Sequence, residues 1–132
     1  MLHMLDTDMA SYIIKGRSPG VRERLASMIP STLCISVITY AELCYGLKKL
    51  PSEHRLHVAV RRFCGIIRVL SWESKAAEFY ADIRHRLVTT GQSIGEMDMM
   101  IAAHSMAVGA VLVSNNVRHY ERIPGLATVN WV

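Results

Sequence analysis

The chain has no apolar run approaching the roughly 18 residues that a membrane-spanning helix needs. Its first residues carry neither the basic segment nor the apolar core of a secretory leader. Both absences set a cytoplasmic location, with no membrane involvement, as the expectation. Cysteine is scarce: Cys34, Cys44 and Cys64 form an odd set without C-x-x-C spacing, which argues against a disulfide framework or a zinc knuckle. These thiols are expected to be reduced and mostly buried. Among six histidines, His54 and His57 form one helical-spaced pair with no third ligand nearby, so a solvated helix face accounts for them, and His104 reads as a packed helix residue. Internal repeats, low-complexity tracts, linkers and Asn-Gly hairpin signals are also missing. Residues 1–132 therefore read as one domain, large enough for a single buried core.

What is present alternates. Apolar residues make up 51% and charged residues 20%, as in a compact globular chain. Met1 to Leu5, broken only by His3, has strand character and runs into Asp6-Thr7-Asp8, followed by a mostly apolar helix from Met9 to Ile14. A short helix, Val21 to Met28, ends at Pro30, and Thr32 to Val37 is a β-prone run. Thr39 to Leu50 reads as a helix with Thr39 as N-cap, which puts Glu42 at the capping-box position. Pro51-Ser52 separates it from a second helix, Glu53 to Cys64, to make a helical hairpin. Ile66 to Leu70 is again β-prone, and Ser71 or Ser74 opens a long helix to about Val88, along which Glu78, Asp82 and Arg86 are spaced for surface pairing. Gly95 opens the helix Glu96 to Val108, Val111 to Val113 is a strand, a short basic helix follows Ser114-Asn115-Asn116, and Ala127 to Trp131 closes as a strand. Such alternation predicts an α/β fold with a central, largely parallel sheet and helices on both faces.

In a parallel sheet the crevice beyond the carboxyl ends of the strands is where ligands bind. Asp6 is expected to face that crevice and Asp8 to cap the first helix. Glu42 after the second strand, Asp98 at the start of a late helix, and Ser114 and Asn116 after the late strand fall at comparable topological positions. Three carboxylates gathered there would repel by about 4 kcal/mol per close pair. An oxygen-only set of this kind suits Mg²⁺ or Mn²⁺ rather than zinc, and such ions support phosphodiester hydrolysis. The net charge of +4, with arginines spread over separate elements, suits a polyanionic partner around an acidic pocket.

Two other readings stand beside this one. Asp6-x-Asp8 after a strand is also how a haloacid-dehalogenase-type phosphatase begins, with a nucleophilic Asp and an acid/base Asp. That chemistry needs a downstream lysine and a late acidic pair, whereas the last lysine here is Lys75 and the late strand runs into Asn115-Asn116. A non-enzymatic basic module that binds nucleic acid or a partner would leave Asp6, Glu42 and Asp98 as caps and turn residues.

Four segments in order resemble the PIN-domain ribonucleases, specifically VapC-type toxins of bacterial toxin–antitoxin pairs. They are Met4-Leu-Asp-Thr-Asp8, Ile35 to Leu43 with Gly46, Asp98 to His104, and Leu112 to Arg118 followed by Arg122-Ile-Pro-Gly125. The resemblance implies a PIN-like fold and a Mg²⁺- or Mn²⁺-dependent endoribonuclease with Asp6, Glu42 and Asp98 as metal-site acids. It puts Asn116 at the fourth catalytic position, where many such domains have Asp, and Ser114 where Thr is usual. Arg118 becomes a candidate phosphate contact, His119-Tyr120 replaces a common Glu-Phe pair, and Glu96 is an additional acid without an assigned role. It also implies a cognate antitoxin in a groove beside the helical hairpin, where Tyr40, Cys44, Tyr45, Leu47 and Leu50 add apolar surface, and a homodimer. Asn115-Asn116-Val-Arg118 resembles the pattern of those members that cut initiator tRNA in its anticodon stem-loop.

Overall fold

A computed structural model describes residues 1–132. Five strands, β1 (His3–Leu5), β2 (Leu33–Ser36), β3 (Arg68–Leu70), β4 (Val111–Val113) and β5 (Thr128–Val129), form one sheet in the order β3-β2-β1-β4-β5. Every pairing is parallel, with Met4 opposite Cys34 on one side and Leu112 on the other. From β1 the chain builds outward through β2 to β3, then returns to the other side for β4 and β5. The strand order thus reverses between β1 and β4, the switch point at which a crevice opens in such sheets.

Seven helices cover the sheet: α1 (Thr7–Lys15), α2 (Pro19–Ser27), α3 (Val37–Lys48), α4 (Arg55–Ile66), α5 (Ser74–Thr89), α6 (Glu96–Ala107) and the single turn α7 (Val117–Tyr120). Successive strand residues point to opposite faces, and the core divides accordingly. Met4, Cys34 and Leu112 pack with Ile83 and Leu87 of α5 and Ile101 and Ala102 of α6. Leu5, Ile35 and Val113 pack on the other face with Met9 and Ala10 of α1, Leu43 of α3, and Val60 and Phe63 of α4. No helix is long and apolar enough to cross a membrane.

Several local expectations need correction. The second strand ends at Ser36, whose hydroxyl accepts from the Ile38 N–H at 3.0 Å, so α3 begins at Val37 without a loop. Thr39 is then a buried residue of the first turn and Glu42 lies one turn on, outside any capping box. Pro19 opens α2 behind the Ser18 cap, and Pro30–Thr32 forms a 3-10 turn rather than a strand start. His54 caps α4 through its ring, and both His54 and His57 are half-buried rather than on a solvated face. Neither Ser71 nor Ser74 caps α5: Glu73 holds the cap position without a side-chain bond. Glu78, Asp82 and Arg86 make no ion pair; the chain's ion pair is Arg84–Glu96, at 3.3 Å. Of the three free cysteines only Cys34 is buried, and the closing strand shrinks to Thr128–Val129.

Candidate active site

Only one residue separates β1 from α1, and it does two jobs. Asp6, extended at φ −75° and ψ 175°, accepts from the Met9 N–H at 2.8 Å and so is the N-cap. Its backbone N–H also donates to Val113 of β4 at 3.0 Å, which pins it at the switch point. Asp8, expected as the cap, instead lies exposed in the first turn. The reason is length: with the strand ending at Leu5 and the helix starting at Thr7, no second residue is left for capping.

Asp6 is only 3% exposed. Burial pushes its carboxyl up to about 6, against the opposing Ser114 hydroxyl and Met9 N–H, and the charges of Asp8 and Asp98 add to the rise. Asp98, in the first turn of α6, is raised as well, first by burial, with the Tyr120 hydroxyl and His119 working against it and Asp8 with it. Asp6, Asp8 and Asp98 therefore share one electrostatic neighbourhood. Tyr120 of α7 is buried against them, and burial and the surrounding carboxylates hold its phenol firmly protonated. Its hydroxyl lies beside Asp98 without completing a hydrogen bond of normal geometry.

Glu42, on α3, is tied to the residue that follows Asp6. Its carboxylate accepts from the Thr7 hydroxyl, which also lies 3.2 Å from the Thr39 hydroxyl, so the first and third helices are tied at the crevice. Ser114 is fully buried at the end of β4, where its hydroxyl accepts from the Asn116 N–H at 2.8 Å. Asn116 and Arg118 are exposed, the first at the cap of α7 with no side-chain capping bond, the second on α7 itself. Glu96 points elsewhere: it accepts from Tyr80 at 2.8 Å and pairs with Arg84.

The sequence assigns no role to Thr7, gives Tyr120 only a place in the pair that stands for Glu-Phe, and offers Asp8 as a cap. Thr7 is recognisable only from its contact with Glu42 across the fold.

The donors that face the crevice are all oxygen. Two of the carboxyls are raised by burial and by neighbouring acids, the condition that a bound cation relieves. No three acids crowd close enough to enclose an ion alone. Mg²⁺ fits such a site, because it keeps several waters and takes few carboxylates directly.

A PIN domain family model matches residues 3–126. Ribonuclease VapC2 of Haemophilus influenzae is 38% identical over 130 residues, covering 98% of each chain. A tRNA(fMet)-specific endonuclease VapC of Salmonella typhimurium is 38% identical over 128 residues, covering 97% of this chain and 96% of the relative. The crystal structure of DNA-bound VapBC from Salmonella typhimurium superposes with a TM-score of 0.92 at 38% identity, covering all of both chains. The five-stranded parallel sheet, the acids at its switch point and these matches agree: the chain belongs to the PIN-domain family of divalent-metal-dependent nucleases, as a VapC-type ribonuclease toxin of a toxin–antitoxin system.

Proposed function

We propose that residues 1–132 act as one nuclease domain, an endoribonuclease that cuts initiator tRNA in its anticodon stem-loop and so stops translation. The observation that carries the reading is the pair Asp6 and Asp98, two raised carboxyls brought to one crevice from β1 and α6. In this reading Asp6, Glu42 and Asp98 hold Mg²⁺ or Mn²⁺ and Asn116 is the fourth catalytic position, contributing an amide but no charge. The chemistry such an ion supplies is polarisation of the phosphodiester and acidification of a water. Ser114 keeps a hydroxyl against Asp6, and Thr7 fixes the orientation of Glu42. Arg118, exposed on α7 two residues after Asn116, contacts a substrate phosphate. The tRNA(fMet) specificity of the Salmonella relative supports initiator tRNA as substrate.

The same reading includes a cognate antitoxin and a homodimer. A groove of about 320 Å³ between α1, α3 and α4 is lined by Leu43, Leu47, Leu50, Leu56 and Val60, with Lys15, Glu42 and Lys49 among its polar residues. An amphipathic antitoxin segment fits an apolar groove of this kind. Tyr40 and Tyr45 stay exposed outside its lining.

The test is incubation of the purified protein with total cellular RNA in Mg²⁺ or in EDTA, followed by sequencing of the RNA ends. Metal-dependent cuts confined to the initiator tRNA anticodon loop are expected, and none with Asp98→Asn. Dominant cuts in messenger or ribosomal RNA would overturn the substrate, and cutting that persists in EDTA would overturn the metal.

A further inference from the structure

Beside the crevice lies a second groove, of about 320 Å³, lined by Asp8, Ser11, Tyr12, Lys15, Arg17 and Asn115. Five of its six lining residues are polar or charged, and none of the six is a proposed catalytic residue. It begins at Asp8, in the first turn of α1, and ends at Lys15 and Arg17, about 10 Å further along the helix. No carboxylate pairs with either cation. Arg22, whose Nη2 donates to the Gly16 carbonyl at 3.3 Å, adds a third positive group at the same end.

Between the two ends stands a half-buried aromatic ring. Asn115 donates from Nδ2 to the Tyr12 hydroxyl at 3.3 Å, which spans the groove from the end of β4 to α1 and holds the ring in place. That bond leaves Oδ1 of Asn115 and its remaining N–H without a partner in the fold. Unpaired cations, a fixed aromatic ring and an idle amide form the set that grips a single-stranded polynucleotide: cations for phosphate, a ring for stacking, an amide for a base edge.

We propose that this groove is the subsite for the nucleotides flanking the scissile bond, with a base stacked on Tyr12, its edge met by Asn115, and the adjoining phosphate held by Lys15 and Arg17. The proposal rests on the nuclease reading above, since it takes the carboxylate crevice as the place where the strand is cut. Its chemistry favours RNA over a protein segment. An apolar antitoxin helix finds its surface in the neighbouring groove of leucines, whereas this one offers a single hydrophobic residue.

The experiment measures binding of a short single-stranded RNA in Mg²⁺-free buffer at several salt concentrations, alongside cleavage in Mg²⁺. The proteins compared are wild type, Tyr12→Ala, Tyr12→Phe, Lys15→Gln and Arg17→Gln, with Lys75→Gln on α5 as a charge-matched control. Tyr12→Ala should weaken binding about ten-fold or more, while Tyr12→Phe, which keeps the ring, recovers most of the loss. Each exposed cation variant should reduce the slope of log affinity against log salt by about 0.7. Lys75→Gln should bind as wild type does. Wild-type cleavage with all groove variants binding and cutting normally overturns the subsite and spares the nuclease reading. RNA binding without cleavage, lost in the groove variants, upholds the subsite and overturns the nuclease reading. Loss of antitoxin binding alone in Arg17→Gln, whose residue lines this groove and not the leucine groove, assigns the groove to the protein partner and overturns the proposal.

Discussion

The Ser36 hydroxyl stands 2.7 Å from Nδ1 of His104, a fully buried contact that joins the end of β2 to the last turn of α6. The same oxygen accepts from the Ile38 N–H, so one hydroxyl both caps α3 and meets the buried imidazole. Ser36→Ala removes a helix cap and a buried side-chain bond together. A loss of about 1–3 kcal/mol is expected, read from the urea midpoint, and an unchanged midpoint would show that neither bond contributes.

Two buried groups give the metal-free protein opposing pH responses. Asp6, raised to about 6, costs stability when ionised, and the cost is relieved as pH falls through 6 toward the ordinary Asp value. His104 is shifted the other way, lowered by burial against the pull of Ser71 and Glu73, so its contribution is lost as pH falls below the ordinary imidazole value. Asp6→Asn, which retains a capping side chain, should therefore stabilise at pH 7.5 by up to about 3 kcal/mol. The gain should fade toward pH 4, leaving only the His104 decline. Equal stability of wild type and variant across pH 4–8 would refute the shift at Asp6.

Ionisation of Asp6 also governs ion capture. Mn²⁺ affinity, followed by titration calorimetry, should be steady above pH 7 and fall as pH drops through about 6, because the proton and the ion compete for the same oxygens. A pH-independent affinity would place the ion away from Asp6.

Tyr120→Phe removes the hydroxyl that lowers Asp98. Its carboxyl should titrate higher in the variant, measurable by carboxyl NMR of the metal-free protein. Stability should change little, since the hydroxyl makes no completed hydrogen bond.

The Arg84–Glu96 pair is more than half exposed on both sides. Arg84→Ala should cost well under about 1 kcal/mol. A larger loss in thermal or urea unfolding would show that the bonds among Tyr80, Arg84 and Glu96 act as a unit.

The alternation of β-prone and helical runs was enough to foresee a parallel sheet, and Val111–Val113 was legible to the residue because Gly109 and Ser114 bracket it. Where the chain passes from strand to helix without a loop, the boundaries were hidden. In Ile35-Ser-Val-Ile38 the β-branched residues continue past the end of pairing, so Val37 looked like strand and Thr39 like cap. Asp6 and Asp8 are equally good caps by type, and only the register of β1 decides between them. That Asp6, Glu42, Asp98, Ser114 and Asn116 fall at one end of the sheet is an expectation from topology alone; the contacts of Thr7 with Glu42 and of Tyr120 with Asp98 are ones that no local pattern encodes.

The loop-free joints at Asp6 and Ser36 have a consequence for how this chain tolerates length change. A helix turns by about 100° per residue, so one residue inserted after Leu5 would swing Asp8 and Tyr12 off the crevice, and one inserted after Ser36 would rotate Glu42 away from Thr7. An insertion in the exposed turn at Thr90–Ser93 meets no such gearing. Insertions and deletions should therefore be accepted at the far end of α5 and refused at the two joints, as sharply as substitution of the acids themselves.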